Sequence, residues 1–177
     1  MNTKKSMVVW VFMGIFIISS WLILSVNSAQ AQSTMKFKIF NNIIKSEFMP
    51  YPDEKGHMVG VLSREGLSVF ENGQVGTQLA VLTVDIRENN TLTYDAITTI
   101  IFPDESTWVL KTKGTGERSP DGKALATKQT GEFLRGTGKY DGIKGTVTIV
   151  GTQYGPPGVG KGYWMADVTA SYTLPSK

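Results

Sequence analysis

The sequence predicts an all-β protein: a closed antiparallel barrel of about eight strands, preceded by an N-terminal signal segment. Three observations predict this. Beyond residue 35 no long stretch repeats its apolar residues at the helical period, whereas apolar–polar alternation recurs in short runs. Clusters of Asn, Asp, Gly and Pro separate the runs, and these are the residues that turns demand. All of the 19 glycines except Gly14 lie beyond residue 31, several of them inside the runs, where glycine marks a bend, a bulge or a close approach of backbones.

The signal segment comes first. Lys4 and Lys5 precede an uncharged run from Met7 to Leu24, and Ser28-Ala29-Gln30-Ala31 then places small residues as a cleavage site requires. Residues 1–31 therefore read as a signal peptide cut after Ala31. The 18-residue apolar run approaches the length of a membrane span, so an uncleaved anchor is the alternative, and the membrane is then met only through this segment. In either case the rest of the chain is exported, to a periplasm or to the medium. With no cysteine in the sequence, the segment is not a lipoprotein signal and no disulfide staples the fold. Residues 32–177 form a single domain large enough for one core. Losing Lys4 and Lys5 lowers the formal net charge from +3 to +1. No basic stripe interleaves with aromatics, so nucleic acid is not an expected partner.

The strands follow in order. Met35 to Ile44 is a first β run, and His57 to Phe70 is a second, interrupted by Gly60 and Gly66. Asn72-Gly73 is a strong hairpin signal between Phe70 and the run Val75 to Arg87. Asn89-Asn90 turns the chain into Thr91 to Phe102, and Pro103-Asp104-Glu105 turns it into Ser106 to Lys113. Pro120-Asp121-Gly122 leads to Ala124 to Leu134; Ile143 to Tyr154 and Gly162 to Leu174 complete the set. The last run is the clearest, with Trp164, Ala166, Val168, Ala170, Tyr172 and Leu174 on one face and a mostly polar set on the other. The loop Gly155-Pro156-Pro157-Gly158-Val159-Gly160 has glycines but no helix after it and no Lys-Ser/Thr pair, so it reads as a stiff barrel-rim loop and not a phosphate cradle. A sandwich is the rival architecture, which alternation alone does not separate from a barrel.

Residues 131–149, Gly-Glu-Phe-Leu-Arg-Gly-Thr-Gly-Lys-Tyr-Asp-Gly-Ile-Lys-Gly-Thr-Val-Thr-Ile, resemble a stretch of allene oxide cyclases and dirigent proteins: Gly-x-Gly-x-aromatic-x-Gly-x-x-Gly before an alternating strand. Gly136 and Gly138 let the strand bend, Tyr140 plugs the core beside the bend, and Gly142 and Gly145 turn the chain into the next strand. Residues 60–86, with Phe70 before Asn72-Gly73, look like the early paired strands of the same barrels. The resemblance implies a bacterial member of an eight-stranded barrel family whose lumen takes an apolar or phenolic molecule. Those plant cyclases close a ring on a fatty-acid epoxide, and dirigent proteins steer the coupling of phenoxy radicals. The cyclases use a carboxylate from the first strand region, but here that run carries none before Glu47, and Asn41 is its polar residue, so no catalytic role transfers.

Composition narrows the chemistry. One histidine and no cysteine leave no nucleophilic triad and no conventional zinc site, and the acidic pairs Asp53-Glu54 and Asp104-Glu105 lack calcium-loop spacing. No metal or cofactor is expected. His57 reads as a solvent-facing loop residue. Asp85, Tyr94 and Glu132 are the polar candidates for the lumen, where desolvation would tune them for acid–base work. Trp108, Tyr140, Trp164 and Tyr172 are the candidate ligand-contacting aromatics, or else core. Three functions remain open: a barrel that binds a hydrophobic small molecule, an isomerase or cyclase of allene oxide cyclase type, and a non-catalytic structural or interaction domain. A homo-oligomer is compatible with each. The lumen discriminates: a cavity holding a buried acid or tyrosine favours the enzyme, one without favours the binder, and a lumen packed shut favours neither.

Overall fold

A computed structural model describes residues 32–87, 91–155 and 159–176. The expected signal segment 1–31, the expected turn at Asn89-Asn90 and residues 156–158 of the expected rim loop lie outside the described residues. Eight strands, β1 (Ser33–Pro50), β2 (Met58–Phe70), β3 (Val75–Ile86), β4 (Thr91–Ile101), β5 (Thr107–Arg118), β6 (Ala124–Gly136), β7 (Lys144–Tyr154) and β8 (Tyr163–Thr173), form one closed barrel in sequence order. Every neighbouring pair is antiparallel, and β8 returns to β1 with Ser33 opposite Tyr172 and Asn42 opposite Tyr163. Closure leaves no free sheet edge.

Alternation sorts the side chains. In β3, Gln78, Ala80, Leu82 and Val84 are buried in the lumen, while Thr77, Leu79, Val81 and Thr83 face out. Two strands run further than their sequence runs. β1 continues to Pro50 because a bulge at Ile44, between the Ile43–Arg64 and Lys45–Ser63 pairs, reverses the alternation there. β5 continues through Gly114 and Gly116, whose missing side chains hide the pattern. A second bulge lies on β6 at Leu134, since Val109 faces Arg135 while Leu110 faces Phe133. The outer face is not uniformly polar: Leu79, Val81, Ile97 and Ile101 are exposed on β3 and β4.

The two ends of the lumen differ. At the end bearing the β2–β3, β4–β5 and β6–β7 connections, Trp108 is fully buried within a ring cluster. Phe37, Phe70, Phe102, Phe133, Tyr140 and Tyr172 have centroids 5.0–6.1 Å from it. Edge-to-face pairs of this kind each add about 0.5–1.5 kcal/mol to ordinary burial. The Gly131–Gly145 segment supplies the stopper, because a 3-10 turn at Gly138–Tyr140 carries Tyr140 inward. Gly138 has φ +62°, a left-handed conformation that favours glycine, and a Cβ there would meet Ser106 Cβ at 2.9 Å. Lys139 pins the turn outside, its Nζ 2.8 Å from Asp104 Oδ2. That contact, with a hydrogen bond from Ser106, pulls the Asp104 carboxyl down to about 2.

At Gly131 the backbones of β5 and β6 approach closely, and an added Cβ would lie 2.0 Å from the Lys111 carbonyl oxygen. Gly131→Ala is expected to cost at least about 1–3 kcal/mol, read as a lowered midpoint in thermal or urea unfolding followed by circular dichroism. Thr130→Ala, on the outer face, is the control and should stay within about 0.5 kcal/mol of wild type. An unshifted Gly131→Ala midpoint would mean that the strands part there without penalty.

Candidate functional site

The opposite end of the lumen is built from smaller aliphatic groups. Leu62 of β2, Leu82 and Val84 of β3, Leu92 of β4 and Leu125 of β6 line it, with half-buried Phe48 and Ile86 at its mouth. Phe48 reaches this wall because the Ile44 bulge turns the end of β1 around. Beneath the aliphatic ring the floor becomes polar, with Arg64, Tyr94, Thr127 and Gln153. The space between has a volume of about 40 Å³, and one water needs roughly 10–15 Å³. A second void of about 10 Å³ lies deeper, sharing Arg64 and Leu82 as walls and adding Asn41, Gln78, Gln129 and Trp164.

Arg64 is 8% exposed, and its guanidinium carbon lies 5.1 Å from the centre of the Trp164 ring. Among the described residues no carboxylate pairs with it, and its Nε has no hydrogen-bond partner. Burial brings its pKa down to about 10, so it remains charged at neutral pH. Tyr94 is buried beside it, and burial pushes its pKa up to about 12. Thr127 and Gln129 stand near the phenol and offset part of that rise, while their side-chain oxygens accept from other groups. Thr127 Oγ1 accepts from Trp164 Nε1 at 3.0 Å, and Gln129 Oε1 accepts from Thr112 at 3.0 Å. The Tyr94 hydroxyl is left without a partner, as are both polar atoms of Asn41 and Oε1 of Gln153. Among the described residues seven buried side-chain polar atoms lack partners, and five of them line these two voids. Each such group costs about 1–3 kcal/mol unless water or a ligand completes it.

A charged clasp sits on the rim of the same end. His57 is 3% exposed and therefore buried, which corrects its reading as a solvent-facing loop residue. The loop between β1 and β2 folds back through Tyr51 N–H to the His57 carbonyl, 2.9 Å, and lays the Tyr51 ring against the imidazole. His57 Nδ1 hydrogen-bonds Asp53, while Nε2 stands 3.3 Å from Asp85 Oδ1. Arg87 then ties Asp85 and Asp53 together at 2.9 and 3.3 Å.

The sequence-predicted residues divide between these places. Tyr94 lies on the lumen floor. Asp85 and Glu132 do not face the lumen, which corrects that placement. Asp85 belongs to the rim clasp, and exposed Glu132 lies across the outer face from Lys111 and Thr146. Alternation gives two faces per strand without saying which is inside, and each carboxylate takes the face where it stays hydrated beside a cation. Of the aromatics, Trp164 lines the deeper void, whereas Trp108, Tyr140 and Tyr172 pack against one another in the plug. Nothing local in the sequence groups Arg64, Asn41 and Gln153. Their signal was a charge or amide at an inward position between apolar neighbours, visible only once the register is known.

No protein-family model and no curated protein matches the chain. Two solved structures share its architecture. A conserved protein of unknown function from Rhodopseudomonas palustris aligns over 80% of this chain and 98% of its own, with TM-score 0.55 and 12% identity. A pterocarpan synthase dirigent protein aligns over 82% of this chain and 92% of its own, with TM-score 0.48 and 12% identity. At such identities the likeness is one of fold alone.

The clasp makes stability depend on pH. The hydrogen bond to Asp53 raises the His57 pKa above 6.5, so its contribution is full below 6.5 and lost as pH rises through the folded value. Asp53, held below 3.8 chiefly by His57, contributes fully above 3.8 and loses its share as pH falls through its folded value. The melting-temperature gap between wild type and His57→Gln should therefore be widest between these limits and narrow as pH rises. A gap that does not change with pH would show that the imidazole contributes by packing alone.

Proposed function

We propose that the protein is an exported barrel that takes a small apolar or phenolic molecule into the open half of its lumen and holds it without chemistry. The carrying observation is the aliphatic wall of Leu62, Leu82, Val84, Leu92 and Leu125 above a floor of unpartnered polar groups, opposite an end sealed by rings. Binding sites generally combine an apolar lining with a few convergent polar groups. Kinship with the allene oxide cyclase and dirigent barrels belongs to the same reading, as does export through residues 1–31.

The protonation states at the floor favour binding over acid–base isomerisation. A general acid or base works best with a pKa near the operating pH, and Arg64 at about 10 and Tyr94 at about 12 both hold their protons at neutrality. Asp85 and Glu132 stand outside the lumen. A cyclase reading would rest on confinement of the substrate alone.

Native mass spectrometry of the protein purified from its own exported fraction tests the proposal. The expected result is a co-purified apolar or phenolic molecule, present on wild type and absent from Leu82→Trp, whose ring fills the mouth. A ligand at a hundred times its Kd adds about 2.7 kcal/mol of stability, and each kcal/mol moves the melting temperature of a barrel this size by about 2–4 °C. An empty wild-type lumen, with no shift in melting across a panel of apolar alcohols, acids and phenols, would reject the binding function.

A further inference from the structure

We infer that Arg64 anchors an anion subsite at the bottom of the mouth, and that the bound molecule carries one carboxylate on an apolar body and enters carboxylate first. This rests on the lumen-binding reading and specifies its ligand.

The argument begins with the charge. A buried guanidinium without a counter-ion costs several kcal/mol, and arginine is almost never found buried unless it is paired. The described carboxylates nearest to cations are already taken: Asp85 by Arg87, Asp104 by Lys139, Glu47 by Lys45 and Asp167 by Lys38. Each of these pairs lies on the rim or the outer face, so no described carboxylate serves Arg64, and a bound anion would supply the missing charge. Water satisfies an orphaned amide or hydroxyl, but it does not neutralise a cation.

The neighbouring groups define the anion. The Tyr94 hydroxyl and the Asn41 amide are unengaged donors lining the same two voids as Arg64. Gln153 Oε1 is an unengaged acceptor beside them, placed for a bound water or hydroxyl. At the floor Arg64 is the one cation, and with the neutral donors beside it the floor matches a monoanion better than a phosphate dianion. Arg118, the other guanidinium on this wall, is turned to the Gly122 carbonyl at 3.2 Å. A carboxylate presents two oxygens in one plane, the geometry that a guanidinium fork engages. The 40 Å³ above Arg64 admits that head group and little more. The apolar body therefore lies against Leu82, Leu92 and Leu125 and turns aside the half-buried Phe48 and Ile86 at the mouth.

The test is titration calorimetry on the full chain with matched pairs: decanoate against decanol, and cinnamate against cinnamyl alcohol. Each acid is expected to bind about ten- to a hundredfold tighter than its alcohol. The pair with the larger gain separates a fatty acid from an aromatic acid as the source of the carboxylate. Arg64→Met should erase the acid preference and raise the ligand-free melting temperature, because it removes an uncompensated buried charge. Tyr94→Phe should weaken acid binding about three- to tenfold more than it weakens alcohol binding. Equal binding of acids and alcohols overturns the anion subsite while leaving the binding barrel intact. Binding of neither overturns both. An acid preference that survives in Arg64→Met overturns the role of Arg64. Should Arg64→Met not fold, the wild-type acid–alcohol ratio and Tyr94→Phe decide.

Discussion

The hydrogen-bonded seam between β1 and β8, running from the Ser33–Tyr172 pair to the Asn42–Tyr163 pair, closes the sheet and sets the width of everything inside it. An eight-stranded barrel is just wide enough for inward side chains to fill, so its interior is decided residue by residue. Where those residues are Trp108 and its neighbouring rings, they meet across the axis and nothing else fits. Where they are leucine, valine and alanine, they do not quite meet, and the polar floor lies in the space they leave. Closure also removes the edges, a service that matters in a chain without cysteine to staple it.

The bulge at Ile44 connects that scaffold to the site. Without the extra residue, the alternation that buries Ile39, Asn41 and Ile43 would send Phe48 to the solvent face. With it, Phe48 turns inward and forms part of the mouth. The bulge on β6 has a similar effect at the other end: after Leu134 the phase changes, Gly136 is buried, and the chain enters the turn that delivers Tyr140 to the plug. Single-residue insertions thus shape both ends of one lumen.

Much of this was legible in the sequence. The eight runs, the Asn72-Gly73 hairpin, the apolar face of β8 and the Tyr140 stopper follow from period, turn chemistry and the glycine-rich segment. The site was legible only in part. Trp108 and Trp164 look alike in sequence, each a tryptophan in an alternating strand, and only the stagger of the strands puts one in the plug and the other beside Arg64. Arg64 reads as an ordinary strand charge until its register opposite Ile43 and Ala80 places it between two inward apolar residues. His57 sits among turn residues, and its burial depends on Asp85, a partner from another strand that no local pattern reveals. Period-two reasoning finds faces, whereas depth along the barrel axis is a property of closure.

The distribution of energetic cost separates the two ends. The plug obeys the ordinary rules of a core, except for Trp108 Nε1, which has no hydrogen-bond partner and is surrounded by ring faces. The mouth breaks those rules in concentration: a guanidinium with no described counter-ion, a phenol, an amide and a second amide oxygen, all around two voids that share Arg64. Proteins of this size are stable by only about 5–15 kcal/mol, and several such groups together would consume a large part of it. A fold tolerates that only when another region over-stabilises it, and the ring cluster around Trp108 is the region that can. Local rules are expected to fail where function requires it. In this barrel they fail together, on one floor, under an apolar wall. A bound molecule that supplied the missing counter-ion would convert each of those penalties into a contact, so affinity for the ligand and instability of the empty site have the same physical source.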